Sequence, residues 1–160
     1  MPELDGGTKT ARLIILAQRL AEQTPHFFEI KGSGDGDRAV NEFIAQLSSM
    51  AKGLFGHDFS QAKISGKCGF TVDFYIPDEQ MVVEFAFSLH QPMNEFERDV
   101  FKCLLAQEDG SRVQKLVLVG KPGGMKKLDS PGPMMMRNWV QEKHGLEIEV
   151  FELQRPPQSS

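Results

Sequence analysis

The stretch from Gly69 to Leu89 leaves a chain little freedom in how it folds. Val72, Phe74 and Ile76 alternate with Thr71, Asp73 and Tyr75. Pro77-Asp78-Glu79-Gln80 interrupts the pattern, and Met81, Val83, Phe85, Phe87 and Leu89 then alternate again. Side chains of a strand point to opposite faces with period two, so this pattern predicts a hairpin of strands 69–76 and 80–89. For both apolar sets to share one face, odd positions must pair with even ones. The symmetric register sets Asp73 opposite Glu84, and a slip of two residues leaves them diagonal on the same face.

Two carboxylates facing each other across a hairpin repel, at a cost of roughly 0.2–1 kcal/mol. A divalent cation removes that cost, and hard cations prefer oxygen ligands. Asp73 and Glu84 are therefore the candidate metal ligands and catalytic acids. Their neighbours on that face, Thr71, Tyr75, Val82 and Ala86, are only partly polar. A fully solvated face carries more charge than this.

The rest of the chain supplies a setting for such a site. With 160 residues, 40% hydrophobic and 25% charged, it is expected to form a single domain, 1–160, with a sizeable core. No apolar run approaches the roughly 20 residues that span a membrane, so no membrane partner is expected. Met1-Pro2-Glu3-Leu4-Asp5 is acidic and lacks a signal-peptide pattern. Cys68 and Cys103 are too few for a disulfide framework or a zinc site, which points to a cytoplasmic setting. The formal net charge of -4 argues against a generally basic nucleic-acid coat, but leaves room for a local basic groove.

Around the hairpin, helical spacing of Leu13, Ile14, Leu16 and Leu20 predicts a helix over 8–23, capped by Thr8 or Thr10. His26 to Ile30 is expected to form a short strand, and Gly32 to Asp37 a loop. Val40, Phe43, Ile44, Leu47 and Met50 predict a helix from Arg38 to about Leu54. Ala62 to Lys67 is the candidate first core strand. Asn94 opens a helix that carries Phe96, Val100, Cys103 and Leu104 inward, with Glu97 in a capping-box position. The continuous apolar run in 113–120 predicts a strand covered on both faces. A helix over 134–144, a strand over 148–153 and a disordered tail over 154–160 complete the reading. A meander followed by crossovers implies an α/β fold with a central mixed sheet flanked by helices.

With these elements in order, the chain over residues 38 to 121 resembles the PD-(D/E)XK nuclease superfamily, the restriction-endonuclease-like fold with an αβββαβ core. The resemblance implies a metal-dependent nuclease that cleaves phosphodiester bonds, leaving 5′-phosphate and 3′-hydroxyl ends. It implies Mg²⁺ or Mn²⁺ on Asp73 and Glu84, with Glu42 as a further acid from the first core helix. The family's lysine stands two residues after the Glu, where this chain has Ala86. Lys102 on the following helix, or Lys67 before the hairpin, would then supply the amine. The same departure supports an alternative, a catalytically inactive nuclease-fold protein acting as an interaction or assembly module.

Further candidates are weaker in chemistry. His90 shares strand parity with Glu84 and is a supporting candidate for general base or substrate contact. The loop 120–127 lacks the Gly-Lys-Ser/Thr ending of a P-loop, which excludes that route to nucleotide hydrolysis. Its Lys121, Lys126 and Lys127 are candidate contacts to a nucleic-acid backbone. The expected partner is nucleic acid, DNA in the first place, and a homodimer would pool two such loops. Met134, Met135, Met136 and Trp139 are expected to pack into the core. Cys68 and Cys103 are expected to be small buried or half-buried side chains, and neither has a neighbour in sequence that would activate a thiolate.

Overall fold

A computed structural model describes residues 7–29, 35–87 and 92–158, with side chains except those of 35–37 and 92. The elements run α1 (Lys9–Gln23), α2 (Asp35–Phe55), β1 (Ser60–Lys63), β2 (Thr71–Ile76), β3 (Met81–Ala86), α3 (Pro92–Glu108), β4 (Lys115–Gly120), α4 (Pro131–His144) and β5 (Glu147–Glu152). Short 3₁₀ turns at Pro77–Glu79 and Lys126–Asp129 follow β2 and precede α4. The strands lie side by side in chain order in one mixed sheet. β1, β2 and β3 are antiparallel neighbours, while β3, β4 and β5 are parallel. The fold is thus α/β, a five-stranded mixed sheet flanked by helices.

Parallel neighbours need a crossover, and α3 and α4 provide the two. Crossovers of one hand along consecutive parallel strands put both helices on the same face. That face holds a core of Val82, Leu116, Leu118 and Ile148 packed with Phe96, Val100, Cys103 and Val140. On the opposite face α1 and α2 cover Phe74, Ile76, Val83, Phe85, Val117 and Val119. β4 contributes to both cores, which explains its unbroken apolar run.

Thr8 caps α1, its Oγ accepting the Ala11 N–H at 3.1 Å. A second cap comes from afar: Glu79 accepts the N–H groups of Lys9 and Thr10 at 2.6 and 3.1 Å, and the Thr10 hydroxyl at 2.7 Å. Beyond β5, Gln154 and Gln18 exchange hydrogen bonds through backbone and side chain at 2.8 and 2.9 Å.

Several expectations need correction. Residues 25–29 form turns, not a strand, and Phe27 is buried there among Phe28, Phe43 and Phe87. α2 starts at Asp35, inside the expected loop; acidic residues favour a helix N-terminus. β1 lies at 60–63, upstream of the expected 62–67. Val72 does not share a core with Phe74 and Ile76, but packs on the α3 side. Of the methionine cluster, Met135 and Trp139 are 74% and 48% exposed, so α4 buries Pro133 and Val140 instead. Cys68 is exposed, while Cys103 is buried.

Candidate functional site

The paired rungs of β2 and β3 run from Ile76↔Met81 through Phe74↔Val83. One step further, the same register brings Asp73 opposite Glu84. There the ladder ends. The backbone N–H of Phe85 is taken by Asp73 Oδ2 at 2.8 Å, and the Asp73 and Glu84 carboxyls are in hydrogen-bond contact with each other. The change of side between Val72 and Phe74 falls at this residue.

Glu84 faces the α3 side and is 7% exposed. Its Oε1 lies 3.4 Å from Lys102 Nζ, and the same amine lies 3.6 Å from Asp99 Oδ1. Asp99 is 6% exposed. Three carboxylates and one ammonium thus converge where β3 ends and α3 passes over it. Burial raises the Glu84 pKa well above the usual carboxylate range, and the charges of Asp73 and Asp99 add to the effect. Burial also raises Asp73, against the Phe85 hydrogen bond that favours its anion. Asp99 is pushed by burial to about 6. Shifts of this kind, set by burial and like charge, gather at functional sites.

On its other side Asp73 opens onto a groove of about 420 Å³ between α2 and β1, lined by Asn41, Ile44, Ser48, Ser60, Gln61 and Phe85 among others. Among the described residues, no group of three or more His, Cys, Asp or Glu is arranged to hold a metal ion.

The sequence candidates divide sharply. Asp73, Glu84 and Lys102 come together. Glu42 is exposed on α2 and does not line the groove beside Asp73; its neighbour Asn41 does, because one helical step turns a side chain by about 100°. Lys67 is exposed in a turn tied to the far end of α3, through Gly66 N–H to Asp109 and Ser111 Oγ to the Ile64 carbonyl. His90 lies outside the described residues. Lys121 is turned inward: its amine donates to the Phe27 carbonyl at 2.7 Å and sits 4.5 Å from the centre of the Phe27 ring. Burial lowers its pKa. Lys126 and Lys127 are exposed on the 3₁₀ turn.

Ala86, where the resemblance would put a lysine, packs with the α3 side of the core. The space beside it, about 10 Å³, is closed by Glu95, Phe96, Asp99, Leu118, Met125 and Leu128. Met125 crosses Gly120, where a Cβ would stand 2.5 Å from Met125 Cγ. A lysine stem has no room at 86; the amine beside Glu84 is that of Lys102 on α3.

Asp99 was not among the sequence candidates. The signal was present: Phe96, Asp99, Val100 and Cys103 follow i, i+3, i+4, i+7 spacing, so Asp99 falls inside the inward stripe. A larger groove, about 640 Å³, lies on another side of α3, lined by Arg98, Phe101, Leu104, Met136 and Trp139 among others. It shares no residue with the acid cluster. Among the described residues no helix is long and apolar enough to cross a membrane. In comparisons with protein-family models, curated proteins and solved structures, nothing matches this chain.

Proposed function

We propose that the protein is a metal-dependent nuclease of the restriction-endonuclease-like fold. The observation that carries the reading is the meeting of Asp73, Glu84 and the Lys102 amine in one buried cluster. The order α2-β1-β2-β3-α3-β4 fits the αβββαβ core of that fold. The rival reading, an inactive module, drew its support from the missing lysine at 86. An amine 3.4 Å from Glu84 favours the nuclease over it.

The charge of the cluster fits a divalent cation. Three carboxylates against one ammonium leave a net charge of -2 when all are ionised, and an unpaired buried charge is costly. Asp73 and Glu84 would hold the ion, since Mg²⁺ is commonly held by one or two carboxylates with water and substrate completing its shell. When bound, Mg²⁺ or Mn²⁺ supplies a water of lowered pKa and neutralises charge on the scissile phosphate. The Phe85 N–H fixes the Asp73 carboxylate. Lys102 orients the attacking water and offsets charge developing on the phosphate. The groove of Asn41, Ser48, Ser60 and Gln61 offers neutral polar groups to the nucleic acid, DNA in the first place.

Calorimetry with Mg²⁺ and Mn²⁺, with and without a DNA or RNA oligonucleotide, tests the reading. The wild type is expected to bind and Asp73→Ala/Glu84→Ala to lose binding by about 100-fold or more. Metal-dependent cleavage should fall with Lys102→Met. A wild type that takes up no metal at millimolar concentration, even beside an oligonucleotide, overturns the nuclease and leaves the module.

A further inference from the structure

We infer that the groove beside Asp73 takes a nucleobase rather than a phosphate, so that the substrate is an unpaired nucleotide, with guanine preferred. The choice of a base rests on the nuclease reading. The exclusion of phosphate rests on the groove itself.

α2 lines the groove with Val40, Asn41, Ile44, Ala45 and Ser48, one face of the helix at i, i+1, i+4, i+5 and i+8. The edge strand β1 adds Ser60 and Gln61, and β2 and β3 add Asp73 and Phe85. Its volume of about 420 Å³ falls in the range of small-molecule sites. Among the described residues that line it, none is a lysine, arginine or histidine.

The hydroxyl protons are already spent. Ser48 Oγ donates to the Ile44 carbonyl at 2.7 Å, and Ser60 Oγ donates to Asp58 Oδ1 at 2.5 Å. A carbonyl and a carboxylate only accept, so both hydroxyls keep only lone pairs for a ligand. Asp73 contributes a carboxyl beside them. The fixed polar groups are therefore acceptors, and phosphate oxygens are acceptors too. The amides of Asn41 and Gln61 can turn either end to a ligand.

Gln61 gives an independent sign of a built site. The β1–β2 register sets it opposite Asp73, but the paired rungs Ser60↔Phe74 and Ala62↔Val72 pass over that position. Gln61 stands at φ +48°, in the left-handed region that such a side chain rarely adopts. Strain of this kind gathers at ligand sites.

Base edges differ in what they offer an acceptor surface. Guanine presents two adjacent donors, N1–H and the N2 amine. Adenine and cytosine present one exocyclic amine beside a ring acceptor. Uracil and thymine present a single N–H between two carbonyls. Val40, Ile44, Ala45 and Phe85 supply apolar contact for the ring. These edges are paired in a duplex, so the base must come from a single strand or be extruded from the stack.

The test is calorimetry of the full chain, without metal, against the four free ribonucleosides. Guanosine is expected to bind, uridine about tenfold more weakly or worse, and inorganic phosphate should not compete. Ala45→Phe fills the groove from an exposed position and should abolish guanosine binding. Should that variant not fold, Ser48→Ala removes one acceptor and is expected to weaken guanosine about fivefold. Metal-dependent cleavage of single-stranded and duplex oligonucleotides is measured beside this. No nucleoside binding at millimolar concentration, uridine bound as well as guanosine, or competition by phosphate overturns the inference, and cleavage that persists leaves the nuclease reading standing. Guanosine binding without any cleavage supports the base site and overturns the nuclease.

Discussion

The two ends of the β2–β3 hairpin carry the same chemistry and treat it in opposite ways. At the turn, Asp78 and Glu79 are adjacent acids. Glu79 accepts two backbone N–H groups and a hydroxyl from the start of α1, and Lys9 pairs with Asp78. At the open end, Asp73 and Glu84 are also neighbouring acids, joined there by Asp99. That trio shares one lysine, at distances beyond 3 Å from both of its partners. A carboxylate at a helix N-terminus is stabilised by orphan donors and the helix dipole. Carboxylates buried together with too few cations are not. The first arrangement builds the fold; in the second, burial raises the pKa of all three acids instead.

The contrast breaks if removing an acid has the same sign at both ends. Glu79→Ala should destabilise by about 1–3 kcal/mol, because three donors at α1 lose their acceptor. Glu84→Gln should raise the thermal midpoint of the metal-free protein at pH 8, because a neutral amide escapes the burial and like charge that oppose a carboxylate there. Differential scanning of the two variants beside the wild type checks both signs. Destabilisation of equal size at both ends would mean that Glu84 is as well satisfied as Glu79.

A pH series sharpens the same point. Asp99 has a folded pKa of about 6 against an ordinary 3.8, and Asp73 and Glu84 are raised as well. Groups raised by folding bind more protons in the folded state, so their contribution is fully present below the unfolded pKa and is lost as pH rises through the folded one. For Asp99 that window runs from about 4 to about 6, and the loss is on the order of 1–3 kcal/mol. Urea unfolding of metal-free protein should therefore become easier across this range, while Asp99→Asn flattens the slope. A Mn²⁺ load should restore stability above the window.

The smallest effect belongs to the exposed half of the turn. Lys9→Met removes the partner of Asp78, which is freely solvated, and should leave the thermal midpoint where it is. Surface pairs of this kind contribute little. A clear fall would mean that the Lys9 ammonium acts on the Phe59 ring, whose centre lies 5.6 Å from Nζ.

Much of the fold was legible because it rests on local periodicity. Alternation located β2 and β3, and the continuous run marked β4 as covered on two faces. The misreadings came where composition and packing diverge. His26 to Glu29 has strand-like residues but finds no strand to pair with, so Phe27 is buried from a turn instead. Met135 and Trp139 are apolar, yet α4 meets the sheet with another stripe. Lys121 looked like a surface cation, and packing turned it onto Phe27.

The sequence by itself determined the hairpin and left two registers, with Asp73 opposite or diagonal to Glu84, because a two-residue period and a short turn allow few pairings; the structure has the symmetric one. It also determined that no lysine follows Glu84 at the usual spacing. Only the tertiary structure decided which distant amine comes to Glu84. Lys102 was the first candidate and Lys67 a supporting one, with nothing local to force either; the crossover of α3 over β3 brings one to 3.4 Å from Glu84, and the β1–β2 turn carries the other to the far end of that helix. The same crossover buries Asp99 beside them. Local pattern sets which way a side chain points along its own element, whereas the meeting of charges from different elements depends on how those elements pack.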